Sequence, residues 1–281
     1  MRRIAIQGQV GSFHDVAAHC YFGEQEEIEL VCCETFEDVF KEMKADSGMI
    51  ALVAIENTIA GSLLHNYELL RESGMQIVGE HKLRIKHSFA CLPEDDWENI
   101  AEVNSHPVAL MQCREFLQKH PDLKVVETGD TAGSAKRIIE KGLKGHAAIC
   151  SKAAAELYGM KVLEEGIETN KHNFTRFLVL SDPWQAEALI NPRKSNKASL
   201  VFSLPHSEGS LSQVLSIFSF YRINLTKIQS LPIIGREWEY MFYIDIMYDD
   251  YTRYRQSIDA VRPLTKQLKI LGEYMEGRST I

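Results

Sequence analysis

The run Met49-Ile50-Ala51-Leu52-Val53-Ala54-Ile55 constrains the fold more than any other stretch, because a segment without a polar side chain has no face to give to water. A short strand covered on both sides belongs in a parallel sheet with helices above and below it. The flanking pattern agrees. Arg3-Ile4-Ala5-Ile6-Gln7 and Ile28 to Cys33 read as strands with a helix from about Phe13 to Tyr21 between them. Phe36, Val39, Phe40 and Met43 then fall at i, i+3, i+4 and i+7 of a helix capped by Thr35. The apolar run ends in Glu56-Asn57-Thr58, followed by Gly61-Ser62 and an amphipathic helix through Leu63, Leu64, Tyr67 and Leu70. Open α/β sheets bind ligands beyond the carboxyl ends of their strands, where these polar groups fall. Helix capping by Thr58 or Ser62 explains part of that polarity and leaves Glu56 and Asn57 unexplained.

A second series of units follows. Met75 to Phe89 is unusually long for one strand, which suggests a connection that leaves one lobe and enters another; within it Lys82, Arg84 and Lys86 alternate against Leu83 and Ile85. Ser105-His106-Pro107 opens a helix carrying Leu110, Cys113, Arg114 and Leu117, with proline in the first turn, where its missing N–H costs nothing. Leu123 to Glu127 and His146 to Cys150 are strands, and Asp130-Thr131-Ala132-Gly133-Ser134 and Ser151 open helices. Gly8-Gln9-Val10-Gly11-Ser12, between the first strand and its helix, suits either close approach of a ligand or a plain tight turn; its spacing is not that of a dinucleotide fingerprint.

Asn173-Phe174-Thr175-Arg176-Phe177-Leu178-Val179-Leu180 is a strand interrupted by charge. A guanidinium is costly to bury unpaired, so Arg176 requires either an internal carboxylate or an anionic ligand at the strand end. After Ser181 a polar, proline-marked stretch (183–197) reads as a linker. Beyond it the order is strand Ala198 to Leu204, helix Gly209 to Tyr221, strands Leu225 to Ile234 and Trp238 to Met247, helix Thr252 to Leu268 and strand Lys269 to Tyr274. This is the split βαββαβ, or ferredoxin-like, order.

The formal charge of −8 argues against nucleic acid as a partner. No apolar run reaches the ~18 residues that span a membrane, so a cytoplasmic location and no membrane partner are expected. Six cysteines without Cys-x-x-Cys pairing, and ten scattered histidines, favour neither a disulfide framework nor a metal site.

Gly11-Ser12-Phe13, Glu56-Asn57-Thr58, Ser105-His106-Pro107 with Gln112-Cys113, Asp130-Thr131-Ala132 and Thr175-Arg176-Phe177, in that order, resemble the motifs of prephenate dehydratases carrying a C-terminal ACT regulatory domain. The resemblance implies a catalytic domain at 1–182, two-lobed like periplasmic binding proteins. Lobe one would be 1–80 with 165–180, lobe two 81–164, and the ACT domain 198–276. It implies decarboxylation and dehydration of prephenate to phenylpyruvate without metal or other cofactor, in phenylalanine biosynthesis. By the same likeness Thr175 handles the leaving hydroxyl and Arg176 a substrate carboxylate, while Ser12, Glu56, Asn57, Thr58, Ser105, Gln112, Thr131, Ala132, Asn173 and Phe177 line the substrate. His106 is either a helix cap or a participant. Thr58 stands where serine is usual. The ACT likeness implies phenylalanine as effector at Gly209, Ser210, Leu211, Asn224, Leu225 and Ser230, in a homodimer or homotetramer. Gln229-Ser230-Leu231-Pro232 departs from the usual Glu-Ser-Arg-Pro there. Arogenate as substrate, and a sensor that binds an anionic metabolite without turning it over, are the alternative readings.

Overall fold

The computed structural model describes every residue except Glu24, Gln25 and Ile281. The chain divides into two compact units, one of Met1–Leu63, His81–Phe177 and the last strand, the other of Leu64–Glu80 and Leu178–Arg278. The fold is mixed α/β. In chain order the first unit begins β1 (Arg2–Gln7), α1 (Phe13–Phe22), β2 (Ile28–Cys33), α2 (Phe36–Ala45), β3 (Ile50–Asn57) and β4 (Gly61–Ser62). Next come α3 (Leu64–Ser73) and β5 (Gln76–Arg84), and then β6 (Ser88–Cys91), β7 (Glu102–Ser105), α4 (Pro107–Gln112), α5 (Arg114–Lys119), β8 (Lys124–Glu127) and α6 (Thr131–Lys141). β9 (His146–Cys150), α7 (Lys152–Leu157), β10 (Lys161–Glu165) and β11 (Phe174–Ser181) complete this stretch.

The first sheet runs β2-β1-β3-β11-β5 and ends in β16 (Ser279–Thr280), with β4 paired to β3. β1 lies parallel to β2 and to β3, and β3 is buried along nearly its whole length, as its composition requires. The second sheet has the order β10-β6-β9-β7-β8 and is mixed: β7 pairs parallel with β8 and β9, while β6 runs antiparallel to β9 and β10. Its two faces carry separate apolar clusters, one around Phe89, Val103, Leu110 and Phe116, the other around Ala90, Ala135, Ile138 and Ala154.

In the second unit, α8 (Pro183–Leu189) precedes β12 (Lys197–Ser203), α9 (Ser210–Phe220), β13 (Asn224–Pro232), β14 (Tyr240–Met247), α10 (Tyr251–Val261) and β15 (Lys266–Tyr274). Order β13-β14-β12-β15 with antiparallel pairing is the split βαββαβ arrangement. One face packs Leu200, Phe202, Ile244 and Ile246 against Val214 and Phe218 of α9 and Tyr254 and Ile258 of α10. On β12, Lys197 is buried and bonds both carboxylate oxygens of the equally buried Glu80 at 2.8 and 2.9 Å, so neither charge is left uncompensated.

The long run Met75 to Phe89 is β5 and β6 separated by 85–87, and it passes from the first sheet to the second. Three element expectations need correcting. The helix opened by Pro107 breaks at Cys113 into α4 and α5. The helix expected to reach Leu268 stops at Val261, because Pro263 has no N–H to donate and takes the first turn of a 3-10 segment, Arg262–Leu264. The stretch read as linker carries α8, capped by Asp182 with Pro183 at its first position.

Candidate active site

Four helices of the first unit start at one place. Ser12, Thr35, His106 and Asp130 cap α1, α2, α4 and α6, each side chain accepting from a backbone N–H of its own first turn. Between these starts and the strand ends of β1, β3 and β11 lies a cleft of about 390 Å³. Its walls include Gln7, Ser12, His14, Glu37, Asn57, His87, His106, Gln112, Asp130, Thr131, Thr175 and Phe177. No lysine or arginine is among the described residues that form it. An anion here meets helix N-termini and neutral donors instead of cationic side chains, with the carboxylates of Glu37 and Asp130 in the same wall. A neighbouring polar recess shares Gln7, Gly129 and Asp130 and carries Lys136, Arg137 and Lys141 beside Glu34, Glu127 and Glu140.

Asn57 organises the floor. Its Oδ1 accepts from the backbone N–H groups of Ile59 and Ala60, both at 2.9 Å, which fixes the orientation of the amide by donors that have no alternative. Its Nδ2 therefore faces Asn173 Oδ1 at 2.8 Å, the Phe174 carbonyl at 3.1 Å and Thr175 Oγ1 at 3.0 Å. Because Thr175 Oγ1 accepts from Asn57, its own proton is free to point into the cleft. Gln112 Nε2 donates to Asn57 Oδ1 at 3.3 Å, and Gln112 Oε1 stands 2.8 Å from His87 Nε2.

Thr175 and Arg176 part company. Strand alternation turns Thr175 and Phe177 to the cleft and Arg176 away from it, where Arg176 NH1 pairs with Glu56 Oε1 at 3.1 Å. Arg176 and Glu56, both expected at the substrate, form an ion pair with each other and are not among the described residues that line the cleft. The strand ends are tied instead by Thr58, whose hydroxyl donates to the His172 carbonyl and accepts from the Phe174 N–H. Ser105 is also displaced from its expected place: it is fully buried, donating to the Ile149 carbonyl at 2.6 Å. Ala132 is core, packed among Ala90, Ala135 and Ala154, and Asn173 supports the site from behind Asn57. Of the expected lining, Ser12, Asn57, Gln112, Thr131, Thr175 and Phe177 reach the cleft.

His14 and His87 were not anticipated. The His14 Nε2 accepts from the Ala54 N–H at 3.3 Å, its ring meets Phe177 edge-on, and burial lowers its pKa to about 4. It is neutral at physiological pH, with the proton on Nδ1. Burial likewise lowers the pKa of His87. The available signal for His87 was phase: it follows Leu83 and Ile85 on the apolar side of the basic alternation. His106 Nδ1 accepts from the Val108 N–H at 3.2 Å, so this ring is a cap that also faces the cleft.

The residues expected to hold an effector lie in the second unit. Gly209 precedes α9 in left-handed conformation, Ser210 donates to the Ser207 carbonyl, and Leu211 packs against the α9–sheet core. Asn224, Leu225 and Ser230 lie along β13, an outer strand of its sheet, with Asn224 and Ser230 exposed.

A two-sheet α/β unit whose helix starts and neutral amides surround one small cleft defines a binder or enzyme of small anionic molecules. Residues 4–184 match the prephenate dehydratase family, and the chain belongs to that family. It is 31% identical to the bifunctional chorismate mutase/prephenate dehydratase of Enterobacter agglomerans, over 97% of this chain and 70% of that protein. It is 36% identical to arogenate dehydratase 1 of Petunia hybrida, over 97% of this chain and 66% of that one. Among solved structures, the prephenate dehydratase from Arthrobacter aurescens in complex with L-Phe superposes with a TM-score of 0.87 at 25% identity, covering 99% of this chain and 92% of that one. GqqA, described as a novel type of quorum quenching acylase, gives 0.86 at 28% identity over 98% of both chains.

Proposed function

We infer that the chain is a prephenate dehydratase, converting prephenate to phenylpyruvate, carbon dioxide and water. The observation that carries this reading is the Thr175 hydroxyl, held as an acceptor by Asn57 and so presented as a donor to the cleft. In the reaction the ring carboxylate leaves as carbon dioxide, and its bonding pair enters the ring as the carbon–oxygen bond to the ring hydroxyl breaks. That hydroxyl takes the electrons and a proton and departs as water. Thr175 donates to the departing oxygen. A threonine hydroxyl is a weak acid, so its part is to position or pass a proton, an effect of ~10²–10⁴-fold. The helix starts at Ser12 and Thr131 and the amide of Gln112 receive the carboxylates, and Phe177 walls the ring.

Arogenate, in which an ammonium replaces the side-chain ketone, is the second reading, favoured by the likeness to the Petunia arogenate dehydratase. Incubation with prephenate, watching for phenylpyruvate absorbance, against incubation with arogenate, watching for phenylalanine, ranks the two by kcat/KM. Turnover of neither removes the proposal.

The proposal extends to architecture and regulation. Residues 1–182 form a catalytic domain with the two-lobed plan of periplasmic binding proteins, and 198–276 an ACT domain. The latter takes phenylalanine at Gly209, Ser210, Leu211, Asn224, Leu225 and Ser230 in a cytoplasmic homodimer or homotetramer. The βαββαβ order of β12 to β15 supports the ACT assignment, and L-Phe in the Arthrobacter complex supports the effector. By linkage, phenylalanine inhibits only if it binds the less active arrangement better.

A further inference from the structure

We propose that His87 is a positioning residue, which holds the Gln112 side chain with its amide nitrogen, not its oxygen, turned toward Asn57 and the substrate. The inference rests on the dehydratase reading only in saying which ligand Gln112 meets. The Ile59 and Ala60 N–H groups make Asn57 Oδ1 an acceptor. What faces that oxygen from Gln112 must then be a donor, so Gln112 presents Nε2 at 3.3 Å and turns Oε1 the other way. Oε1 is acceptor only, and it lies 2.8 Å from His87 Nε2, so that ring nitrogen carries the proton.

The His87 ring is built to stay in this one form. It is 1% exposed, the edge of the Phe13 ring packs on it, and its Nδ1 is buried without a partner. Moving the proton to Nδ1 would leave two lone pairs facing each other at Gln112 and an N–H in an apolar wall. The charged groups beside it are Glu168, whose carboxylate accepts the His87 backbone N–H at 3.0 Å, and Lys171, 3.9 Å from that carboxylate. Glu168 fixes the backbone of His87; the ring's only hydrogen-bond partner among the described residues is Gln112. The consequence is specific. Of the two protons on Gln112 Nε2, one is used by Asn57 and the other remains for an anion in the cleft. Without the His87 donor, only the longer 3.3 Å bond to Asn57 opposes a turn of the amide that would present its oxygen to a carboxylate.

Two experiments test this. Two-bond proton–nitrogen correlation spectra of histidine-labelled protein at neutral pH are expected to show His87 as the Nε2–H tautomer; an Nδ1–H or doubly protonated ring overturns the inference. That readout stands whatever the protein turns over, so a failed dehydratase assay leaves it decisive. If prephenate or arogenate is a substrate, His87→Leu is expected to lower kcat/KM roughly 10–100-fold, the scale of a hydrogen bond to a charged group. His87→Gln, whose amide nitrogen restores the donor, is expected to recover to within about threefold. Adding His87→Leu to Gln112→Ala should cost nothing further. Full activity in His87→Leu, no rescue by His87→Gln, or additive losses in the double variant each overturn it.

Discussion

Neighbouring residues on β11 carry different duties, and the division follows from the two-residue period of a strand. Thr175 faces the cleft, and Arg176 spends its charge on Glu56. Thr175→Ala is expected to fold normally and lose roughly 10²–10⁴-fold in kcat with KM little changed, read by steady-state kinetics against a melting curve. Arg176→Ala is expected to act mainly on stability. Because the Glu56 side chain is 31% exposed, the loss is discounted to ~1–2 kcal/mol, and KM should move less than in Gln112→Ala. His14 gives a pH dependence of known sign. Its ring titrates near 6.5 unfolded and about 4 folded, so below pH 6.5 the unfolded chain takes up a proton that the native one refuses. Stability from this ring is complete above pH 6.5 and falls as pH drops toward 4, by on the order of 3 kcal/mol. Urea midpoints at pH 7 and 4.5 should differ less in His14→Gln than in the parent protein. At this scale the sequence told which residue types gather at the strand ends. It left open whether Arg176 met a ligand or a carboxylate, because composition does not say that Glu56, 120 positions away, lies within reach.

Elements were legible where periodicity is strong and boundaries were not. β3 was readable from composition alone, and α2 from its i, i+3, i+4, i+7 spacing. The run 75–89 was legible by its length as a passage between two groups of elements, but its break at 85–87 was not, because the alternation continues there without changing polarity pattern. Gly11 shows a different limit. Its glycine character suited a ligand-binding loop or a tight turn, and the structure gives a third reason: at φ +87° it packs on α7, where a Cβ would come 2.8 Å from Ala154 Cα. Its carbonyl also accepts from Ser151, the α7 cap. Gly11→Ala is therefore expected to lower stability by ~2–4 kcal/mol through combined strain and overpacking, measured by chemical denaturation.

Across the whole molecule, each unit has its own means of holding charge inside. The second places Lys197 against Glu80, and Gly272 lies where any side chain would strike the Ile77 backbone. The βαββαβ order was visible from the alternation of strand and helix beyond residue 198, whereas α8 was masked by its prolines and polar flanks. Titration with phenylalanine in a calorimeter is expected to give saturable heat with a rise in melting temperature. No heat at millimolar phenylalanine would separate this chain from an ACT-regulated enzyme.

A cleft whose wall holds amides, hydroxyls, imidazoles and the carboxylates of Glu37 and Asp130, with no lysine or arginine among its described residues, meets a carboxylate through N–H and O–H donors and not through a cationic side chain. Uncharged isosteres of the carboxylates should therefore compete better here than at a guanidinium clamp. Added salt should leave the competition by uncharged analogues unchanged and move that by charged ones only modestly.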